Sequence, residues 1–118
     1  MRAMANEPFH VTGHSNPAKD VHILTAKGPI TYATAPTLVD AVMGVCEHKL
    51  IVDISGVPSV DSMAVGALVR TYVHCQKSGK RLAFVGLAQR VENVLRLTGV
   101  DPLFDTYASV AEAEAALT

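Results

Sequence analysis

The sequence predicts a single α/β domain, in which a central mixed, mostly parallel sheet of about five strands packs with about four helices. The chain has 118 residues, the length of one domain with one hydrophobic core. Short apolar runs alternate along it with segments whose apolar residues recur at helical spacing. Strands separated by helices pair in parallel through crossover connections. We expect residues 1–8 to be a flexible N-terminus and residues 9–118 to form the domain.

The N-terminal part of the chain predicts a hairpin followed by a helix. In PFHVTG (8–13) and VHILTAKG (21–28) apolar and polar residues alternate as they do in strands, and HSNPAKD between them has the composition of a turn. TAPTLVDAVMGVCEH (34–48) is typical of a helix, and Thr34 can cap its start. Its apolar residues at helical spacing are Leu38, Val39, Val42, Val45 and Cys46.

Two later apolar runs, KLIVDIS (49–55) and RLAFVG (81–86), predict strands buried under helices. The C-terminal part adds a helix, AQRVENVLRLTG (88–99), a short edge strand, LFDTY (103–107), and a last helix, SVAEAEAAL (109–117). Ser109 followed three residues later by Glu112 is the pattern of a helix cap.

Between the two buried strands, the stretch VPSVDSMAVGALV changes from strand to helix chemistry at Asp61 and Ser62. It predicts a helix from Ser62 to about Lys77. A step of about 100° per residue divides this helix into two faces. The core face carries Val65, Leu68, Val69 and Tyr72. The opposite face, toward solvent or a partner, carries Met63, Gly66, Arg70, His74 and Lys77.

Asp61 and Ser62 have two possible roles. Either side chain can cap the free N–H groups of the first helical turn. A phosphate on Ser62 suits the same place, because those N–H groups and the helix dipole stabilise phosphate oxygens and a charge of about −2 would leave the domain folded. Beside Asp61 the phosphate would repel a partner that lacks positive charge. From the residues alone, the cap and the phosphoswitch remain alternatives.

Composition argues against several function classes. The net charge is −1 and 49% of the residues are apolar, so nucleic acid is not an expected partner. No run has the length of a membrane span or the apolar core of a signal peptide, so we expect a cytoplasmic protein. Cys46 and Cys75 lack the spacing of zinc ligands, and we expect two buried, reduced thiols on the first two helices. A reversible disulfide between them is the alternative.

Other polar residues favour structural roles over chemistry. His10 and His14 lie four residues apart in a predicted strand and turn without a third ligand, so we expect no metal site. Asp53 is expected to orient the loop after its strand by hydrogen bonds. Ser62 lacks the Gly-x-Ser-x-Gly elbow of a hydrolase, and the chain has no phosphate-cradling glycine-rich loop. We therefore expect that the protein is not an enzyme and binds no cofactor.

Three runs, LIVDISGVPSVDSMAVGALV (50–69), GPITYATAPTLVDAV (28–42) and RLAFVGLAQRVENVLRLTGVDPLFDTYASVAEAEAAL (81–117), resemble a STAS domain over about residues 9–117. More specifically, they resemble a stand-alone bacterial anti-sigma factor antagonist. The specific part is a strand ending in Asp-hydrophobic-Ser, a Gly-hydrophobic turn, Asp-Ser, and a helix beginning small-hydrophobic-Gly.

This resemblance implies a STAS fold and a regulatory role. It implies that the unphosphorylated protein binds an anti-sigma factor and thereby releases a sigma factor for transcription. The anti-sigma factor, itself a serine kinase that supplies ATP and magnesium, would phosphorylate Ser62 and end the binding, and a phosphatase would restore it. The implied partner-binding residues are Thr31, Asp61, Ser62, Met63, Gly66 and Arg70.

The chain departs from the family pattern at two places. Met63 and Ala64 follow Ser62 where Ser-Gly or Ala-Gly is usual, and Met63 is either a partner anchor or a side chain folded over the loop. Thr31 stands where the family commonly has an acidic residue. If that acid helps the kinase to bind or phosphorylate its substrate, either step is altered in this chain.

A second function remains open beside the phosphoswitch. The same fold serves as an assembly subunit of lipid-transport ATPase complexes, and in such a subunit Ser62 would be only a cap. The Asp61-Ser62 pair at the helix start favours the switch. The lack of membrane segments argues against a domain fused to a transporter.

Overall fold

The computed structural model describes residues 9–117 and contains one five-stranded sheet in the order β1-β2-β3-β4-β5. The strands are β1 His10–Asn16, β2 Val21–Lys27, β3 Lys49–Gly56, β4 Arg81–Val85 and β5 Asp105–Tyr107. The helices are α1 Ala35–Met43, α2 Ser62–Lys77, α3 Gln89–Leu97 and α4 Val110–Leu117, with a 3-10 turn at Asp101–Leu103. β1 is antiparallel to β2 and the other neighbours are parallel. The predicted fold class is confirmed, whereas the predicted flexible segment 1–8 lies outside the described residues.

Helices cover the sheet on both faces. Alternate residues of β3, Leu50, Val52 and Ile54, are buried in one cluster with side chains of α1, α2 and α3. Ile51 faces the other way and is buried in a second cluster that includes Leu117 of α4. A strand whose side chains are buried on both faces reads as a continuous apolar run, which explains why β3 could be recognised from its sequence.

The first helix is shorter than the sequence predicts. It ends at Met43, where Gly44 caps it and donates its N–H to the Asp40 carbonyl over 3.1 Å. Val45 then turns into the core, and Lys80 Nζ donates to its carbonyl. Residues 44–48 are therefore a loop that returns the chain to the start of β3 rather than the last turn of the helix.

The prediction for the two cysteines is half wrong. Cys46 is exposed and lies in the loop after α1, not on the helix, because the chain leaves the helix at Gly44. Cys75 is buried on α2, and this burial raises the pKa of its thiol. Both thiols are free.

Other element boundaries differ by a few residues. β1 continues to Asn16, so His14 lies in the strand and the turn of the hairpin is confined to 17–20. β5 begins at Asp105 because Leu103 belongs to the 3-10 turn. The predicted cap of α4 is confirmed, since the Ser109 hydroxyl accepts the Glu112 N–H over 3.2 Å.

Two carboxylates fasten the β1–β2 hairpin to the loop before β3. Asp20 accepts the backbone N–H of His48 over 3.0 Å and contacts its ring Nδ1 at 2.9 Å. Glu47 accepts the Ser15 hydroxyl and contacts His22 Nδ1 at 3.2 Å. The hydrogen bonds from His48 lower the pKa of Asp20, and the hydrogen bond from Ser15 is the main cause that lowers the pKa of Glu47.

These lowered pKa values predict an acid-sensitive hairpin. Their stabilising effect is complete above the ordinary carboxyl pKa of about 4 and is lost as the pH falls through the lower folded-state values. Thermal unfolding between about pH 6 and pH 3 should therefore show a smaller loss of Tm in Asp20→Asn/Glu47→Gln than in the unchanged chain. Asp40→Asn, at an exposed position of α1, is the control and should keep the full acid sensitivity. Equal pH dependence of all three proteins would contradict the prediction.

Candidate functional site

The candidate site lies where parallel strands β2 and β3 end at the same edge of the sheet. Beyond the strands, Ile30 and Val60 form one more parallel bridge. The Ile30 N–H donates to the Ser59 carbonyl over 3.0 Å, and the Asp61 N–H donates back to the Ile30 carbonyl over 3.1 Å. The loop after β2 is thereby hydrogen-bonded to the loop that leads into α2.

Asp61 is the N-cap of α2 and connects it to the neighbouring loop. Its Oδ1 accepts the Ala64 N–H over 2.7 Å, and its Oδ2 accepts the Tyr32 N–H over 3.3 Å. Of the two capping candidates, the structure therefore assigns the cap to Asp61. Ser62 is the first helical residue; it is exposed, and its hydroxyl forms no hydrogen bond within residues 9–117.

The position of Ser62 gives its hydroxyl a defined electrostatic environment. It stands at the positive end of a 16-residue helix. Helix geometry leaves the first N–H groups without intrahelical acceptors, and the Asp61 side chain occupies only the one of Ala64. The N–H groups of Ser62 and Met63 are thus oriented toward an anion that would be attached to the Ser62 side chain.

A groove of about 340 Å³ lies between α1 and α2, and Met63, the residue after Ser62, is part of its lining. Two exposed side chains line it, Tyr32 at 70% and Met63 at 74% of their full accessibility. Its charged residues are Asp40 and Arg70. The remaining lining is small or apolar and consists of Ala35, Pro36, Val39, Gly66 and Ala67.

Five of the six predicted partner-binding residues lie on α2 or at its N-cap, and three of them, Met63, Gly66 and Arg70, line the groove. Asp61, Ser62 and Met63 lie at the start of α2, and Gly66 and Arg70 follow one and two turns later on the exposed face. The face division is confirmed for Val65 and Leu68, which are buried, while Val69 and Tyr72 are only half-buried. The division into faces did not indicate that Ala64 and Thr71 are buried as well, whereas the predicted burial of Cys75 is confirmed.

Thr31, the sixth residue, has a structural role in the loop before α1. Its hydroxyl accepts the N–H groups of Ala33 and Thr34 over 3.2 and 3.3 Å. The Thr34 hydroxyl in turn accepts the Thr31 N–H over 2.8 Å and donates to the Pro29 carbonyl over 2.9 Å. Thr34 is the N-cap residue of α1, as its position in the sequence predicts, but its hydroxyl forms no capping hydrogen bond because it is bound to the Thr31 N–H and the Pro29 carbonyl.

The Met63-Ala64 departure is accommodated without strain. Both residues lie in regular helix, where the conformational freedom of glycine is not needed, and Ala64 is buried. Met63 points away from the core and is exposed, so it does not fold over the loop.

Sequence reasoning missed the α1 side of the groove. Tyr32, Pro36, Val39 and Asp40 were read only as parts of a loop and a helix. The one available signal was Tyr32, an aromatic residue in a predicted loop. The packing of α1 against α2 depends on the tertiary fold and could not be predicted.

The remaining polar candidates stay outside the site. Asp53 accepts the N–H and the hydroxyl of Ser55 over 2.9 and 2.7 Å, so these hydrogen bonds lie at the end of β3 rather than in the loop that follows. His10 and His14 both lie on β1. Within residues 9–117, no three His, Cys, Asp or Glu side chains are grouped closely enough to hold a metal ion.

The STAS domain family matches residues 15–113 of the chain. The chain belongs to this family. A relative from Thermotoga maritima, named provisionally as an anti-sigma factor antagonist, is 33% identical over 66 residues, which are 56% of this STAS chain and 58% of the relative. The match therefore spans little more than half the length of that relative.

Solved structures of other proteins have a similar fold. The crystal structure of an anti-sigma factor antagonist from Mycobacterium paratuberculosis superposes with a TM-score of 0.81 at 24% identity, over 93% of this chain and 94% of that one. The murine anion transporter Slc26a9 superposes with a TM-score of 0.74 at 26% identity, over 83% of this chain but 18% of the transporter. In the described part of this chain, no helix is both long and apolar enough to span a bilayer.

The geometry predicts different roles for Asp61 and Ser62 in stability. Asp61→Ala removes the cap of α2 and should lower the free energy of unfolding by about 1 kcal/mol, measured by urea denaturation. Ser62→Ala, the matched control, removes a hydroxyl without a hydrogen bond and should change it by less than ~0.5 kcal/mol. Equal losses in the two variants would show that the cap is shared.

Proposed function

We propose that this STAS domain is an anti-sigma factor antagonist controlled at Ser62. In its unphosphorylated form it binds an anti-sigma factor with serine kinase activity and so releases a sigma factor for transcription. The observation that carries the proposal is that Asp61 alone caps α2, which leaves the exposed Ser62 hydroxyl beside it available for modification. The relatives named as anti-sigma factor antagonists support the partner class.

A phosphate on Ser62 is compatible with the fold. The phosphate oxygens can accept the N–H groups at the start of α2, and the helix dipole favours the added negative charge. Ser62 is exposed, so the phosphate remains hydrated and no core residue has to move. Phosphorylation should therefore alter the surface while the domain stays folded.

The same phosphate would oppose docking on the groove. Asp61 and Asp40 already place negative charge around the start of α2, and Arg70 is the cation among the residues that line the groove. A further charge of about −2 next to Met63 makes this weakly negative surface strongly anionic. A partner that buries this surface without compensating cations loses affinity.

The proposal divides the chemistry between the two proteins. In the proposal the anti-sigma factor supplies ATP, magnesium and the catalytic base, while the STAS domain supplies the acceptor hydroxyl and acts in the cytoplasm as a substrate rather than an enzyme. A phosphatase that hydrolyses phosphoserine would return the domain to its binding form.

The phosphoswitch predicts a specific modification. The full chain incubated with ATP, magnesium and each candidate anti-sigma kinase should gain one phosphate, about 80 Da by intact-mass spectrometry, at Ser62 by peptide mapping. Ser62→Ala should bind the kinase as well as the unchanged chain does and gain no mass. Ser62→Glu should bind at least ~1 kcal/mol more weakly because it adds charge at the contact. Modification elsewhere, or equal affinity of the three proteins, would refute the switch.

If no kinase modifies the chain and a stable complex forms through another surface, the domain is an assembly module instead. That outcome would return Ser62 to an ordinary exposed helix residue. It is the role we would then expect for a STAS domain within a transport complex.

The groove predicts an affinity change that is separate from stability. Met63→Ala should weaken kinase binding by about 1–2 kcal/mol with an almost unchanged Tm, because the side chain is exposed in the unbound domain. Met43→Ala, the same substitution at another exposed methionine, lies outside the groove and should leave binding unchanged. A large fall in the Tm of Met63→Ala, or equal binding of both variants, would contradict the anchor role.

A further inference from the structure

β1 is an open edge of the sheet. It pairs with β2 over seven consecutive residues without a bulge, and no strand lies on its other side in the described chain. Within residues 9–117, the backbone of Val11–Ser15 forms no hydrogen bond except those with β2. A strand paired on one side still presents alternate N–H and C=O groups to its free side.

The two edges of the sheet are protected very differently. β5 has three residues, begins with the charged Asp105 and follows directly on a 3-10 turn, so it offers little to a pairing strand. β1 has seven residues, His10–Asn16, and contains no Pro, Lys, Arg, Asp or Glu. These are the residues with which natural proteins block edge pairing.

We propose that β1 pairs with β1 of a second copy of this chain, which gives a two-fold symmetric dimer with a continuous ten-stranded sheet. Antiparallel pairing of one strand with itself is self-complementary, because both copies present the same pattern of donors and acceptors. If the two-fold axis passes beside Gly13, each residue i lies opposite residue 26 − i of the other copy. Val11–Ser15 then pair with Val11–Ser15 of the second copy, and glycine at the axis leaves no side chain to clash there.

None of the side chains that face each other in this register belongs to a lysine, an arginine or an acidic residue. Thr12 lies opposite His14 of the second copy, Val11 opposite Ser15, and His10 opposite Asn16. A foreign strand would need to match this uncharged edge by coincidence, whereas a second copy matches it by symmetry. The edge buries only a short strand, so the dimer should be weak, monomeric near ~1 µM and dimeric near ~1 mM.

The test is the mass of the full chain in solution. Sedimentation or light scattering across this concentration range should show a monomer–dimer equilibrium. Thr12→Lys places a cation opposite His14 of the second copy and diagonally across from the same substitution in that copy. It should raise the dissociation constant at least ~10-fold. Thr37→Lys, the same substitution on the exposed surface of α1, should not change it. A monomer at all concentrations, or an unchanged dissociation constant for Thr12→Lys, would overturn the proposal.

Two variants of opposite charge show whether a lost dimer is caused by charge repulsion or by misfolding. Thr12→Glu should also dimerise weakly alone, whereas an equimolar mixture of Thr12→Lys and Thr12→Glu should form a heterodimer at least as tight as the unchanged dimer. Failure of the mixture to associate, with both variants folded by their Tm, would overturn pairing through β1. Because this proposal does not involve Ser62, Ser62→Glu should dimerise as the unchanged chain does.

Discussion

The site depends on one bridge between two loops. After β2 and β3 separate, Ile30 and Val60 pair once more, and the Asp61 N–H donates to the Ile30 carbonyl. This fixes Asp61 with its carboxylate between the N–H groups of Ala64 and Tyr32, so the start of α2 and the loop before α1 are held as one unit. The groove and the Ser62 hydroxyl have a defined relative position because both are attached to that unit.

The Asp61-Ser62 pair separates the residue that stabilises the helix start from the hydroxyl that we propose to be regulatory. A helix start needs one side chain to satisfy its first N–H groups, and Asp61 does this with a charge that the dipole also favours. The Ser62 hydroxyl can then be modified without loss of the cap. The STAS fold by itself does not require such a hydroxyl, which is why a similarity of fold to antagonists and to a transporter leaves the switch to be tested at this residue.

Sequence patterns predicted what depends on local periodicity and failed where tertiary contacts decide. The continuous apolar run of β3 and the two faces of α2 could be predicted because burial repeats along each element. The end of α1 could not, because Val45 and Cys46 continue its apolar spacing although the chain must turn at Gly44 to reach β3. The missing capping bond of Thr34 could not be predicted either, since the sequence does not show that its hydroxyl donates to the Pro29 carbonyl instead.

The groove and the proposed switch are coupled through the Asp61 carboxylate. A phosphate on Ser62 would lie next to this carboxylate and repel it, while it accepts the N–H groups of Ser62 and Met63 that the Asp61 side chain leaves unused. Any weakening of the bond from Asp61 to the Tyr32 N–H, already 3.3 Å long, would loosen the Tyr32 side of the groove as well as add charge. Phosphate therefore has two ways to oppose docking, repulsion and the loss of a groove wall. In Ser62→Glu the side chain has one charge and is shorter than phosphoserine, so it supplies mainly the repulsion. This variant should reduce binding less than the phosphate does.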